Sequence, residues 1–326
     1  MLKQRIEREE NTAISREKLF QLENTTRENY LKIIQSFGGL GFLLTGYFAW
    51  RNLQMAEKNR ELAEGKQVTE RFSKAVELLS DSKKLEARIG GIYILGRIAN
   101  DHPKDQITVM EVLTTFIREK SLGSDLECQC DEEYSNADIQ SALNVIGRRN
   151  VENDGVRGLF LYGSNLSGVD LCDTNFSNTV FSMCDLSNAY LRKTKLINTN
   201  FSGTKIKKTK LCGAFFSGAN LSGANLSSTD LSESDLTDAD LSESDLSESD
   251  LTDADLSESN LTDAILSSAN LKRANLKRAD LRETKEITPN QIKQASNWEQ
   301  AHYSDDFKIQ LGLSTTSEES AEKPEE

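Results

Sequence analysis

Histidine is nearly absent from this sequence. The 326 residues include two histidines, His102 and His302, which lie far apart in the chain. Histidine is the most frequent general base and a common metal ligand near neutral pH, so its scarcity leaves little material for such chemistry. No glycine-rich phosphate loop follows a strand, and no Ser/His/Asp or Cys/His set is suggested. The sequence therefore predicts no catalytic, cofactor-binding or metal-binding residues, and we expect a protein that is not an enzyme.

Cysteine is also scarce, and its spacing does not form a disulfide framework. The chain has five cysteines, an odd number that suits a reducing compartment. Cys128 and Cys130 form a single CxC pair, which lacks the four ligands of a structural zinc site. Cys172 and Cys212 each follow a bulky apolar residue of a repeat, so we expect them to face outward, whereas Cys184 fills a small inward position.

Positive charge is in deficit. The chain has 39 lysines and arginines against 52 aspartates and glutamates, which gives a formal net charge of −13. A general nucleic-acid-binding protein is expected to carry a basic surface that neutralises phosphates. The charge balance therefore makes nucleic acid an unlikely partner.

Long apolar runs are missing except over residues 33–50, IIQSFGGLGFLLTGYFAW, which lie between Lys32 and Arg51. Eighteen helical residues span about 27 Å, close to the hydrocarbon thickness of a bilayer. This run predicts a single-pass transmembrane helix through which the protein binds a membrane. Flanking positive charges are balanced and do not orient the helix, but the free cysteines favour a cytoplasmic carboxy-terminal part. The alternative interpretation is a buried helix of a soluble domain.

The most regular feature of the sequence is a bulky apolar residue at every fifth position from Leu161 to Leu281, 25 times in succession. A small residue such as Ala219 stands two places earlier, and Asn or Asp, such as Asn220, often lies between them. A period of five fits neither an α-helix nor a β-strand. The spacing predicts a chain that turns a corner once per unit and stacks its coils over a continuous core.

The unit small–Asn/Asp–Leu–Ser/Thr–any resembles the pentapeptide-repeat family. The resemblance implies a right-handed, four-sided β-solenoid with four units in each coil. Twenty-five units then give about six coils and a rod about 30 Å long. Val180, Tyr190, Phe215 and Ile265 depart from the pattern because they fill the Asn/Asp position.

The residues before the repeats have helical patterns. Residues 1–32 are rich in charge and predict a polar helix, and residues 51–150 predict an α-helical unit with HEAT-like hairpins. Gly91 and Gly96 inside one of these helices indicate close helix–helix approach. The segments VTERFSKAVELL, LEARIGGIYILGRIA, VMEVLTTFIRE and DIQSALNVIGRR resemble the helical part that precedes the repeats in membrane-anchored bacterial pentapeptide-repeat proteins.

The predicted fold class is a multi-part α+β chain, with the β-solenoid at residues 151–285. We expect residues 286–313 to form a helical cap, because the last coil of a solenoid exposes core side chains and unpaired strand edges. Thr288 with Gln291 three residues later is a typical helix start. Residues 314–326 are rich in Ser and Glu and are predicted to be disordered.

Charge is banded along the repeats. An acidic belt comprises Asp230, Glu233, Asp235, Asp238, Asp240, Glu243, Asp245, Glu248, Asp250, Asp253, Asp255, Glu258 and Asp263. An earlier basic zone comprises Arg192, Lys193, Lys195, Lys205, Lys207, Lys208 and Lys210, and a later one Lys272, Arg273, Lys277 and Arg278. Such positions flank the inward leucine and should be solvated.

Together these features predict a non-catalytic, membrane-anchored interaction or scaffold protein that presents its solenoid to a protein partner of unknown identity. The alternative function follows from the resemblance, because some soluble family members resemble a DNA duplex in shape and charge and bind DNA-handling enzymes such as gyrase. The acidic belt would then be the DNA mimic.

Overall fold

The computed structural model describes residue 25 and residues 40–122, 136–155 and 158–313. The chain divides into two compact units, residues 1–70 and residues 71–326, which are described separately.

Several predicted features lie outside the described residues. They are the polar helix of residues 1–32 apart from Thr25, the CxC pair Cys128 and Cys130, and the tail of residues 314–326.

Helix α1 runs Leu40–Leu79 and crosses the division between the two units. Arg51 ends its uncharged part, which therefore comprises the 11 residues from Leu40 to Trp50. Eleven helical residues span about 16 Å, roughly half the thickness of a bilayer core. In the part of the chain that the structure describes, no helix has an apolar stretch long enough to span a membrane.

The prediction of a transmembrane helix over residues 33–50 is therefore wrong. Residues 33–39 lie outside the described residues, and residues 40–50 continue directly into a charged helix. The single-pass membrane localisation, the membrane contact through residues 33–50 and the cytoplasmic carboxy-terminal part all depended on this helix, and all are corrected with it.

Within the described residues of the second unit, three further helices precede the solenoid. Helix α2 is Leu85–Asp101, helix α3 is Gln106–Leu122 after a 3-10 turn at Pro103–Asp105, and helix α4 is Ala137–Gly147 before a 3-10 turn at Val151–Asp154. Their shared core includes the buried residues Ile92, Leu95, Met110, Leu113, Ile117, Leu143 and Ile146. These residues recur at helical spacing, so each helix buries one face.

Close approach of the helices depends on glycine. A Cβ atom on Gly96 of α2 would lie 2.9 Å from Val145 of α4, and one on Gly91 would lie 2.7 Å from the Ala75 carbonyl oxygen of α1. The close approach that these glycines indicated in the sequence is confirmed. Arg88 of α2 also forms a buried ion pair with Asp138 of α4, with Nε and Oδ2 2.6 Å apart.

Residues 159–285 form a four-sided β-solenoid of parallel rungs. Strand β1, Leu159–Phe160, pairs with strand β2, Thr179–Val180, and each later rung residue pairs with the residue 20 positions on. Four units therefore complete one coil, as the resemblance implied. We number the faces by their first rung residue: face 1 starts at Phe160, face 2 at Asn165, face 3 at Asp170 and face 4 at Asn175.

The fifth-position residues fill the interior. All 25 of them, from Leu161 to Leu281, are at most 2% exposed, which confirms the predicted inward register. Phenylalanines pack inside the first coils, and the rings of Phe181 and Phe201 stack at 5.2 Å between centroids. Small residues two places earlier, such as Ala219, are also buried because they point to the same side of the chain.

Each unit ends in a tight turn at a corner of the coil. At the corner after Leu161, the Ser164 amide donates to the Leu161 carbonyl oxygen at 3.2 Å, and Gly163 has a φ of +71°. A positive φ at the third turn residue is typical of a type II turn. The same slot has a positive φ in every unit from residue 163 to residue 283: six are glycine and nineteen are not.

The Asn/Asp position has a structural role. The Asn165 Oδ1 accepts a hydrogen bond from the Ser167 amide at 3.1 Å, and the same contact recurs at each Asn or Asp rung residue up to Asp280. The short side chain thus satisfies a backbone donor at the corner, as in an Asx turn.

Helix α4 contacts the first coil of the solenoid. The side-chain amide of Gln140 both donates to the Asp170 carbonyl oxygen at 2.7 Å and accepts from the Asp170 amide at 2.9 Å. The Gly147 carbonyl oxygen accepts from the Asn175 amide at 2.9 Å. Helix α4 therefore provides hydrogen-bond partners for faces 3 and 4 where no preceding coil exists.

At the other end, helix α5 at Pro289–Ile292, a 3-10 turn at Trp298–Gln300 and helix α6 at Asp305–Leu311 follow the last coil. Thr288 and Gln291 form the predicted capping box, and the Gln291 side-chain amide also donates to the carbonyl oxygens of Leu266 and Ala269. Ser296 and His302 continue the rungs of faces 4 and 1, at offsets of 21 and 22 residues.

Candidate interaction surface

The residue types that could carry out chemistry do not form a common site among the described residues. His102 follows the last residue of α2, and His302 is an exposed rung residue whose amide donates to the Ala279 carbonyl oxygen. Among the described residues, no group of three or more His, Cys, Asp or Glu is arranged to hold a metal ion.

Cys184 lies in the solenoid core. Its thiol donates to the Leu161 carbonyl oxygen at 2.9 Å, and burial raises the pKa of this thiol to about 12. Cys172 and Cys212 are half-buried at the corner after face 3. Burial also raises the pKa of Cys172, and none of the three is in a disulfide. A thiol with a raised pKa has little thiolate and is a weak nucleophile.

A cleft of about 440 Å³ lies between helices α2, α3 and α4, and the buried arginine in its wall, Arg149, already has partners. Arg149, whose pKa is lowered by burial, donates to Asp154 and to the carbonyl oxygens of Asn175 and Ser177. Gln106 donates to Asp154 as well. Because these side chains satisfy one another and the backbone, they are not free to bind a ligand.

The acidic belt contains two kinds of carboxylate. Its rung aspartates accept hydrogen bonds from their own backbone; they are Asp230, Asp235, Asp240, Asp245, Asp250 and Asp255. Its corner carboxylates have positive φ and are exposed, except for the half-buried last one; they are Glu233, Asp238, Glu243, Glu248, Asp253, Glu258 and Asp263. The rung aspartates therefore serve the turn, and the corner carboxylates are the more accessible charges.

The later basic zone neutralises part of this belt. Arg273 binds Asp253, and its hydrogen bond holds the pKa of that carboxyl below the ordinary value. Arg278 of the same zone pairs with Glu258 at 3.3 Å, and Lys285, which lies after the zone, pairs with Asp263 at 3.2 Å.

Four corner carboxylates remain without an ion pair within the described residues: Glu233, Asp238, Glu243 and Glu248. They are five residues apart, so one lies at each corner of a single coil. We call these four residues the acidic ring. Glu248 accepts a hydrogen bond from the Ser228 hydroxyl at 3.0 Å.

The earlier basic zone remains unpaired. Its residues are all exposed and lie on the second and third coils, on faces 2 to 4 and their corners: Arg192, Lys193, Lys195, Lys205, Lys207, Lys208 and Lys210. We call these seven residues the basic band. Within the described part of the chain, none of them has a carboxylate oxygen within 4.0 Å.

Exposed apolar side chains lie within the basic band. Tyr190, 50% exposed, pairs with Lys210 across a rung of face 3, and Phe215, 41% exposed, pairs with Lys195 on face 4. Tyr190 and Phe215 are two of the four apolar residues that fill the Asn/Asp position, and Lys195, Lys205 and Lys210 of the basic band fill the same position. Neither aromatic residue can form the Asx contact, which leaves its side chain available to a partner.

The family model for pentapeptide repeats matches eight copies, over residues 161–192, 184–223, 199–238, 214–253 and 249–285. No curated protein matches the chain.

Several solved structures are similar to this chain. A trypsin-treated form of QnrB1, a plasmid-mediated fluoroquinolone resistance protein, is 19% identical over 48% of this chain and 88% of its own, with a TM-score of 0.28. A pentapeptide repeat protein from the Arabidopsis thaliana thylakoid lumen is 26% identical over 36% and 68%, with a TM-score of 0.23. One from the cyanobacterium Cyanothece 51142 is 25% identical over 44% and 91%, with a TM-score of 0.25.

The family match and the geometry agree over the same residues. The 20-residue coil, the buried fifth-position side chains and the small residues before them all fall within the matched range. Residues 161–285, which are less than half of this chain, therefore match the model for pentapeptide repeats, and they build a four-sided β-solenoid.

Proposed function

We propose that this protein is a non-catalytic interaction protein that binds an acidic surface of a protein partner through the basic band. The observation that carries the proposal is a set of seven exposed cations without ion pairs, arranged around Tyr190 and Phe215. Binding energy at protein interfaces concentrates at aromatic and arginine anchors, and surrounding charges set the encounter rate and specificity.

The backbone of the solenoid supports this proposal because it holds the band rigidly. Each unit in the middle coils receives ladder bonds from both neighbouring coils; the Ile206 amide, for example, donates to the Asn225 carbonyl oxygen at 2.7 Å. A surface built on a hydrogen-bonded scaffold loses little backbone entropy when a partner binds.

The test is affinity capture with crosslinking from a native extract, using the full chain. A variant in which Lys193, Lys207 and Lys208 are each replaced by Glu has the opposite charge at these positions. It should no longer capture the partners that the wild-type protein retains. A matched control reverses Lys83, Lys104 and Lys277, which are exposed and lie outside the basic band, and should leave capture unchanged. If wild type enriches no protein, or if the band variant captures the same set, the proposal is wrong.

The DNA-mimic alternative has less support. The rung aspartates bind their own backbone, and three of the corner carboxylates are paired with cations near the end of the solenoid. The acidic ring then contributes four carboxylates in one coil, whereas duplex DNA carries one charge per about 1.7 Å of axis. This alternative stays a prediction, and gyrase supercoiling unaffected by the purified protein would reject it.

A further inference from the structure

We propose that the basic band of one copy of this protein binds the two members of the acidic ring that border face 3, Glu233 and Glu248, on a second copy, in an antiparallel pair of solenoids. The inference rests on the proposed function, because it names the partner of the same basic band. It starts from the positions of opposite charges at the two corners that border face 3.

The two corners carry the same charge pattern. At the corner after face 2, Lys208 is followed two coils later by Glu248, and at the corner after face 3, Lys193 is followed two coils later by Glu233. Both separations are 40 residues, which is twice the 20-residue rung offset. With coils about 4.8 Å apart, each lysine lies about 10 Å along the axis from its glutamate.

A repeated plus-then-minus spacing is self-complementary when one rod is reversed. If two solenoids pack through face 3 in opposite directions, a twofold axis over the midpoints places Lys193 opposite Glu233 and Lys208 opposite Glu248. The symmetry makes each contact twice, as in any isologous interface. Lys210 and Asp230 occupy successive rungs of face 3 between these corners and are also exchanged across the axis.

The midpoints of the two lysine–glutamate pairs permit close approach. They are Gly213 and Ser228, one residue without a side chain and one with a small one. The midpoints are 15 residues apart, three quarters of a coil, or about 4 Å along the axis. A slight inclination of the twofold axis, or the length of a lysine side chain, covers that offset.

The overall charge makes this association dependent on salt. A net charge of −13 repels a second copy at long range, whereas the complementary bands attract at contact. The Debye length is about 10 Å at about 0.1 M salt and about 3 Å at about 1 M. We therefore expect a dimer at the lower salt concentration and a monomer at the higher one.

The deciding experiment is a charge swap on the full chain, measured by sedimentation velocity. One variant carries Lys193→Glu and Lys208→Glu, and the other carries Glu233→Lys and Glu248→Lys. Each variant alone places like charges opposite each other, so its dimer dissociation constant should rise at least about tenfold. Mixing the two restores attraction at every contact, so the mixture should form heterodimers close to the wild-type affinity.

A matched control lies within the acidic ring. Asp238→Lys with Glu243→Lys changes the same number of charges on the corners away from face 3 and should leave the dimer intact. Circular dichroism and denaturation midpoints confirm that each variant is folded.

Three outcomes would overturn the inference: a wild type that is monomeric at both salt concentrations, a dimer that neither variant weakens, or a mixture that does not associate. If wild type is monomeric but Lys193 and Lys208 remain necessary for capture of another protein, the proposed function stands and the self-association fails. If the basic band retains only nucleic acid, both proposals fail.

Discussion

The corner residue that ends each pentapeptide unit has a left-handed backbone. Glu243 has a φ of +58°, and nineteen units have a residue other than glycine in this slot. For residues with a Cβ atom, this conformation costs about 1–2 kcal/mol. The turn bond from the Ser244 amide to the Leu241 carbonyl oxygen, 3.2 Å long, and the ladder bond from the Glu243 amide to Thr262 hold the backbone there.

Replacing Glu243 by Gly should raise the free energy of unfolding by about 1 kcal/mol, because glycine adopts positive φ without steric cost. The matched control is Ser242→Gly, one residue earlier, where φ is not positive. Glycine there increases the conformational entropy of the unfolded chain without relieving strain, so it should lower the free energy of unfolding. Urea denaturation measures both changes. Two changes of the same sign would show that the strain is not located at this slot.

The inward register allows a second comparison between neighbours. Leu241 is fully buried, so Leu241→Lys places an unpaired charge in a dry core and should cost about 4 kcal/mol or more. Glu243→Lys changes an exposed side chain and should alter stability by less than about 0.5 kcal/mol. Equal effects in chemical denaturation would mean that the register is wrong.

Thiol labelling tests the core position of Cys184. Burial and a pKa of about 12 should protect this thiol from iodoacetamide in the native state, whereas it should react fully in urea. Cys212, half-buried at a corner, serves as the reference within the same chain. Mass spectrometry of the labelled peptides gives both rates, and equal native labelling would contradict the structure.

At the scale of elements, the first and last coils obtain rungs from segments that are not repeats. Gln140 and Gly147 of helix α4 bond to the first coil, and Gln291, Ser296 and His302 bond to the last coils. An unpaired solenoid edge invites association with another chain, and these contacts cover part of each edge.

Gly147 packs closely against the first coil. A Cβ atom there would lie 2.8 Å from the Thr174 Cβ and 3.0 Å from a Phe176 ring atom. Gly147→Ala should therefore destabilise the protein by about 2 kcal/mol through overpacking. Gly90→Ala is the control, because no atom lies within 4 Å of its Cβ position inside helix α2. That change should stabilise the helix by up to about 1 kcal/mol, so thermal unfolding should shift in opposite directions.

The sequence predicted the leucine register and helix α5, but it did not predict the backbone of the corners or the last rungs. The leucine register was predictable because every fifth residue has the same burial, and helix α5 because Thr288, Pro289 and Gln291 encode a local start. The left-handed corners were not predictable, since most of these residues are not glycine. The rungs at Ser296 and His302 were hidden because their offsets of 21 and 22 residues break the period.

At the scale of the whole molecule, the predicted membrane span was wrong and the candidate surface was predictable only in part. Hydropathy alone suggested a membrane span at residues 33–50, but helix α1 carries its charged residues in the same continuous helix from Arg51 onward. The candidate surface was predictable only as a list of charges. Which cations are neutralised depends on the stacking of residues 20 positions apart, as with Arg273 over Asp253.

The paired aspartates should make stability fall in acid. Hydrogen bonds from Arg273 and Arg282 hold the pKa values of Asp253 and Asp280 below their ordinary values. A carboxyl with a lowered folded pKa stabilises the protein above its unfolded pKa of about 3.9, and this contribution is lost as pH falls through the folded pKa. Urea midpoints should therefore decrease below about pH 4 from these groups.

The double variant Asp253→Asn with Asp280→Asn is the control for this prediction. It removes both titrations while it keeps an acceptor oxygen at each position, so its midpoint should decline less steeply in acid than that of wild type. Parallel profiles for the two proteins would contradict the assignment.

The 20-residue rung offset has a consequence for how such a chain changes length. Gain or loss of one five-residue unit keeps every leucine inside but moves all later residues to the next face. The repeated copies of LSESD and of LTDAD make such gain or loss easy in this chain. Gain or loss of one unit would therefore rotate the carboxy-terminal segment and its charges by about 90° about the solenoid axis relative to helix α4. Only the gain or loss of four units together restores the original orientation. A change in length that the core tolerates can therefore still alter which surface a partner meets.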